Sequence, residues 1–451
     1  MVIPALWLVL PLASADGHVH ERVLDNGLEV IVKEDHRAPI VTSQVWYKVG
    51  SGYEHGGLTG ISHALEHMMF KGTETLAPGE FSRIIAQNGG DENAFTSRDY
   101  TAYFQNLASD RLAVAFELEA DRMRNLALPE DEFAKELEVI KEERRLRTED
   151  DPESLTFEIF NAVAYDASPY RHPVIGWADD IAGLTVADLR DWYQRWYAPN
   201  NATLVVVGDV DPPAVFTLAE QHFGPLAAEE VLPGKTASEP PQRGEKRVQV
   251  KAPAKEPYLL MGYKATAVGA TQVDWEPYAL EILASVLDGG GSARIERELV
   301  RGDEIAASAG AGYGAFSRLP GMLLLEGVPA DGHDVASLER ALREQIARLR
   351  EEPVSVDELE RIRNQLIAAK VYERDSVFFQ GMQIGRLESV GLSWQLMDEY
   401  LERLAAVTPE QVQAVARKYL TPENLTVAIL DPQPLDRPSS PIASGGHLHV
   451  R

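Results

Sequence analysis

Apolar and polar positions along the chain fall into two periods. Ile40-Val-Thr-Ser-Gln-Val-Trp-Tyr47 and Tyr258-Leu-Leu-Met-Gly-Tyr263 alternate as strands do, and each leads into long stretches of helical period. The pattern also repeats. Thr185-Val-Ala-Asp-Leu runs as a helix to Trp196-Tyr-Ala-Pro-Asn-Asn201 and then to the β-branched run Ala-Thr-Leu-Val-Val-Val. Thr408-Pro-Glu-Gln-Val leads likewise to Tyr419-Leu-Thr-Pro-Glu-Asn424 and then to Leu-Thr-Val-Ala-Ile. Thr185 and Thr408, Pro199 and Pro422, and Asn201 and Asn424 each stand 223 positions apart, so helix, turn and strand recur in one order without a gap.

The repeat predicts an α+β chain of two homologous domains, each a largely antiparallel sheet covered by helices. The expected boundaries are 18–231 for the first domain and 248–432 for the second, joined by a Pro-, Gly- and charge-rich linker at 232–247. Residues 433–451 read as a Pro/Ser/Gly-rich tail. A length of 451 residues agrees, because single cores stop growing below that size.

Composition narrows the function. With 45% apolar and 25% charged residues the chain is an ordinary folded protein. Its net charge of −27 disfavours nucleic acid and anionic membrane, and favours basic ligands or plain solubility. The absence of cysteine excludes disulfides and thiolate metal sites, so any zinc must sit on histidine and carboxylate. Residues 2–12 are almost all apolar and Ala13-Ser14-Ala15 follows, the pattern of a signal peptide over 1–17 and of a periplasmic or exported protein. No Lys or Arg precedes that run, which leaves a cytoplasmic chain with a different start as the alternative. No other stretch reaches the ~18 apolar residues of a membrane span.

Candidate chemistry gathers at Gly60-Ile-Ser-His-Ala-Leu-Glu-His-Met-Met-Phe-Lys-Gly-Thr73. On a helix, His63 and His67 at i and i+4 share a face with Glu66, the spacing of a two-histidine zinc site in the order H-x-x-E-H. The repeat partner, 215 positions on, reads Tyr278-Ala-Leu-Glu-Ile282, so the helix is common to both halves and the histidines belong to the first alone. The bland alternative is a pair of satisfied histidines on an amphipathic helix. A third ligand is needed, and the acidic helix Lys135-Glu-Leu-Glu-Val-Ile-Lys-Glu-Glu143 offers several glutamates, most of them expected on a solvated face.

These residues resemble the pitrilysin family of zinc peptidases. There H-x-x-E-H is followed by a glutamate ligand seven positions after another acidic residue; here Glu143 stands 76 after His67, and Glu136 seven before Glu143. Lys71-Gly-Thr73, Asn93-Ala-Phe-Thr-Ser-Arg-Asp-Tyr-Thr101-Ala-Tyr103 and the Pro-Asn turns match as well, so the resemblance covers nearly all of the chain after residue 20. It implies that His63, His67 and Glu143 hold one Zn2+ per chain, that Glu136 supports a ligand, and that Glu66 works as the general base. It further implies a peptide substrate laid as an added strand along Asn93, Ala94, Phe95 and Thr96, inside half of a clamshell-type peptidase.

One part of the family pattern is missing. Active members carry an arginine and a tyrosine seven residues apart after a Gly-rich turn; the turn is present at Asp288-Gly-Gly-Gly-Ser-Ala-Arg294, but the two positions hold Val300 and Ala307. The expectation is a zinc-bearing subunit whose homologous partner supplies the Arg/Tyr pair and whose peptide substrate is basic. A self-sufficient homodimeric peptidase and a non-catalytic structural or binding member are the rival readings.

Overall fold

The computed structural model describes residues 18–231 and 238–435; the apolar run at 2–12, the start of the expected linker and most of the expected tail lie outside them. Six strands, β1 (Val19–Val23), β2 (Glu29–Glu34), β3 (Ile40–Tyr47), β4 (Asp91–Thr96), β5 (Thr101–Ala108) and β6 (Ala202–Gly208), form the first sheet in the order β1-β2-β6-β3-β5-β4. Five more, β7 (Lys246–Pro253), β8 (Tyr258–Ala265), β9 (Ala306–Tyr313), β10 (Gly321–Pro329) and β11 (Leu425–Gln433), form the second in the order β7-β11-β8-β10-β9. The fold is thus α+β with two helix-covered sheets. Only β2 with β6 and β7 with β11 pair in parallel; every other pair is antiparallel.

The sequence repeat has a structural cause at each residue. Thr185 and Thr408 begin their helices with the same reciprocal cap, to Asp188 and Gln411 respectively. Asn201 and Asn424 each turn a side-chain amide back to the carbonyl closing the preceding helix, Trp196 at 2.9 Å and Tyr419 at 3.2 Å, which shapes the turn into β6 and β11. Those strands then lie in the interior of their sheets, as their apolar runs require.

Each domain has its main core between the sheet and its own helices. The opposite face of each sheet is covered by a helix from the other half. The helix Pro152–Ala164 lays Phe160 and Ala164 against Tyr258, Leu260, Ala428 and Leu430 of the second sheet. In return the helix Val377–Ser389 sets Ile384 against Ile31, Trp46, Val205 and Val207 of the first. This exchange explains why β3 is buried at every position but Ile40 although its sequence alternates: Gln44 donates to the Phe378 carbonyl at 3.1 Å and accepts from the Trp46 indole at 3.1 Å. Close approach is secured by glycines, since a Cβ at Gly385 would lie 2.1 Å from the Trp46 indole and one at Gly381 2.6 Å from the Gln44 amide.

The expected linker is more ordered at its end than its composition suggests. Lys246 and Arg247 already pair in β7, and the buried Gln242 donates to the Leu425 carbonyl at 2.8 Å. Glu239 accepts N–H groups of Asp166, Ala167 and Ser168 from the first half and the Lys264 ammonium from the second. Burial works against its charge, but Lys264 and those N–H groups outweigh it and hold the carboxyl at about 2.

Two stability tests follow from this joint. Gly385→Ala is expected to lower the melting temperature, by the equivalent of about 1–3 kcal/mol, because the Trp46 ring has no room to retreat. Glu239 has a depressed pKa in the folded state, so its stabilisation is present above the ordinary carboxylate range and is lost as pH falls toward about 2. The gap in melting temperature between the wild-type chain and Glu239→Gln should therefore narrow between pH 5 and pH 3; a constant gap contradicts this assignment.

Candidate metal centre and active site

The helix Ile61–Met68 has two faces. Ile61, Ala64, Leu65 and Met68, at helical spacing, are fully buried in the first core, which fixes the rotation of the helix and turns His63, Glu66 and His67 to the other side. Its start is Gly60 at φ +86°, where a Cβ would lie 2.5 Å from the Ile175 carbonyl. The helix has no side-chain cap of its own. Instead the buried Glu54 carboxyl accepts the N–H of Gly60 at 2.7 Å and of Ser62 at 2.9 Å; burial pushes it up to about 7 against those two bonds.

The long helix Glu130–Arg144 crosses this face and delivers Glu143. Glu143 Oε2 lies 3.7 Å from His63 Nε2 and 3.4 Å from His67 Nε2, and the three side chains offer ligand atoms all within 4.8 Å of one another. Ligand atoms held tetrahedrally at ~2.0–2.2 Å from an ion stand roughly 3.3–3.6 Å apart, so the donor set fits zinc. Burial, with His67 adding to it, brings His63 down to about 4, which keeps its ring neutral and its lone pair free. Its Nδ1 is buried without a partner.

Three neighbours orient this cluster. Glu136 accepts from His67 Nδ1 at 2.9 Å and from Lys71 Nζ at 2.6 Å, which leaves His67 Nε2 facing Glu143. Arg147 holds the other carboxylate oxygen of Glu143, Oε1, at 2.7 Å. Glu66 Oε2 accepts the Thr96 hydroxyl at 2.5 Å, and burial raises its carboxyl despite that bond. Lys71 and Arg147 were not singled out as site residues by sequence reasoning. Their signal was the i+4 spacing from His67 and Glu143, hidden because charged residues at that spacing are common on solvated helices.

The segment Asn93 to Thr96 lies in β4, the edge strand of the first sheet, which pairs with β5 alone. Phe95 packs edge-on against Trp46, and Thr96 reaches Glu66, so the strand ends beside the histidine cluster. Val300 and Ala307 are not near one another in role: Val300 packs against the second core and Ala307 stands exposed on β9. The Arg and Tyr side chains closest to them in sequence are committed to local backbone, Tyr313 to the Thr266 carbonyl at 2.7 Å and Arg301 to the Gly291 carbonyl. In the repeat helix Glu276–Asp288, Tyr278 and Ile282 occupy the histidine positions as buried core residues, and Glu281 accepts from Tyr400.

A cavity of about 1290 Å³ opens beside this cluster, between the halves, with Phe95, Thr96 and Arg147 in its wall. That exceeds the ~300–1,000 Å³ of a small-molecule site. Its wall does not share the charge balance of the whole chain. It carries six Arg/Lys side chains against four Glu, because the surplus acids of the chain lie elsewhere.

The chain matches the family model described as insulinase, peptidase family M16, over residues 29–176, and that described as peptidase M16 inactive domain over 183–366. This chain belongs to peptidase family M16. Relatives of the M16 chain include zinc protease PqqE of Helicobacter pylori, 38% identical over 64% of this chain and 66% of that protein, and the uncharacterized zinc protease YmxG of Bacillus subtilis, 27% identical over 90% and 97%. Among solved structures, a protease from Helicobacter pylori superposes with a TM-score of 0.87 at 28% identity, covering 92% of the M16 chain and all of that one. The first half of the periplasmic protease PqqL from Escherichia coli shares the fold, with a TM-score of 0.76 at 20% identity over 92% of each chain. The M16 chain spans 48% of full-length PqqL.

Glu136→Gln should weaken zinc binding about 10- to 100-fold, measured by competition with a chromogenic chelator, while the circular dichroism spectrum stays unchanged. An unchanged affinity would remove Glu136 from the site.

Proposed function

We propose that this chain is the zinc-bearing subunit of an endopeptidase, acting on peptides or unfolded segments. The observation that supports it is the convergence of His63 Nε2, His67 Nε2 and Glu143 Oε2, with Glu66 beside them, next to a peptide-sized cavity whose wall includes Thr96 and Arg147, the partners of Glu66 and Glu143. Zinc held by these three side chains supplies a Lewis acid that acidifies water and polarises the scissile carbonyl. The chain's own residues do the rest. Thr96 occupies Glu66 Oε2, so Oε1 takes the proton as water adds to the carbonyl carbon and returns it to the amide nitrogen as the C–N bond breaks. The free edge of β4 pairs with the substrate backbone, which gives affinity with little demand on sequence.

Val300 and Ala307 leave the family's Arg/Tyr pair to a homologous partner subunit, so the proposal includes a heterodimer. One observation favours self-sufficiency instead: the Arg147 guanidinium stands at the cavity wall against Glu143, where a cation could serve the developing oxyanion. Export from the cytoplasm, read from 1–17, belongs to the same proposal.

The test is hydrolysis of a mixed quenched-fluorescent peptide library by the purified, zinc-loaded chain, alone and with a co-expressed paralogue lacking H-x-x-E-H. The chain alone should turn over slowly and the pair fast, and Glu66→Gln should reduce the rate by about 10²–10⁴-fold while retaining zinc. Full activity from a demonstrably monomeric preparation rejects the heterodimer; no activity in either form rejects the peptidase.

A further inference from the structure

The two exchanged helices line the cavity as well as covering the sheets. Phe157 and Asn161 come from one, Phe379, Met382 and Arg386 from the other, while Phe95, Phe316 and Met397 complete a wall rich in aromatic and thioether groups. Phe157 is 38% and Phe379 49% exposed, so this apolar surface is open to a ligand.

The charged groups on the wall are not equally engaged. Among the carboxylates, Glu158 is held by the Arg144 fork, Glu373 by Lys370 and Gln383, and Glu326 by the Tyr258 hydroxyl. Glu153 has no ion pair among the described residues; burial and its neighbours Asp151 and Glu326 raise its pKa. Three of the arginines, by contrast, hydrogen-bond only to neutral oxygens among the described residues. Arg98 donates to the Asn161 amide oxygen at 3.2 Å, Arg171 to the Asp166 carbonyl at 3.3 Å, and Arg386 to the Phe316 carbonyl at 3.1 Å. Arg386 also has a buried Nε with no hydrogen-bond partner among the described residues, and the carboxylate that feels its charge there is the buried Glu281, to which it makes no hydrogen bond. Arg98 stands two residues beyond Thr96, at the end of the edge strand, so a peptide paired along β4 runs directly toward it.

We infer that the cavity selects peptides that combine apolar side chains with acidic residues and discriminates against basic ones, opposite to what the net charge of the chain suggests. The inference rests on the peptidase reading for the kind of ligand, and on the wall for its chemistry. A guanidinium that already lacks a carboxylate partner gains a charge-assisted bond from an incoming Glu or Asp, whereas an incoming Lys or Arg meets like charge in a partly desolvated space.

The experiment uses Glu66→Gln, so that binding is read without turnover. Two fluorescein-labelled decapeptides share a central Phe-Leu and differ only in Glu or Lys at the flanking positions, and their affinities are measured by anisotropy at 25 mM and 300 mM NaCl. The acidic peptide is expected to bind about tenfold tighter at low salt, with the ratio falling toward one at high salt. Adding Arg386→Glu or Arg171→Glu should each reverse or abolish the preference; the second guards against misfolding of the first. The inference fails if the basic peptide binds as tightly, if neither reversal moves the ratio, or if neither peptide binds. Cleavage of the same pair by the unsubstituted zinc-loaded chain separates the two claims. Acidic-selective binding without cleavage of either keeps the cavity assignment and sinks the peptidase, and faster cleavage of the lysine peptide does the reverse.

Discussion

A sheet whose own helices cover one face leaves the other face to water unless something else buries it, and here each half buries the other's. The helices Pro152–Ala164 and Val377–Ser389 are traded across the molecule, and the glycines at 262, 381 and 385 let them sit directly on the strands. A large apolar side chain such as Phe160 or Ile384 contributes about 1.5–3 kcal/mol when fully buried, so the trade binds the halves into one unit. It also builds the cavity, because side chains of the same two helices line its wall.

The candidate metal cluster depends on a second use of burial. The helix Ile61–Met68 and its repeat partner Glu276–Asp288 occupy equivalent places in homologous domains. In the second half Tyr278 and Ile282 close the face into core; in the first, His63 and His67 open it toward Glu143. The two helices differ on this face by two side chains, and the aim of those side chains comes from everything around them. Glu54 anchors the start of the helix, Lys71 and Glu136 settle the ring of His67, and Arg147 settles the carboxylate of Glu143.

Charge in this protein is sorted by location. A net −27 speaks for the surface a distant ligand meets, while the cavity wall carries Arg98, Arg171 and Arg386, which hydrogen-bond to neutral oxygens. Long-range attraction and close-range recognition therefore act on different chemical groups, and a prediction made from the sum alone addresses only the first.

The sequence by itself determined what depends on spacing and on short-range capping. The i, i+4 histidines, the offset of 223 between repeat landmarks and the Asn-closed turns are all written in one dimension, since a helix or turn converts sequence distance directly into geometry, whereas the choice of Glu143 and Glu136 among several glutamates came from the family resemblance. Tertiary structure alone decided the rest. An amphipathic pattern says that a helix buries a face and not which sheet receives it, so the exchange, the double burial of β3 and the cavity were not legible. The bond from Thr96 to Glu66, the cap that Glu54 places on a helix six residues on, and the meeting of arginines from Arg98 to Arg386 join chain segments that only folding brings together, because side-chain partners across a loop of arbitrary path carry no period for a sequence to display.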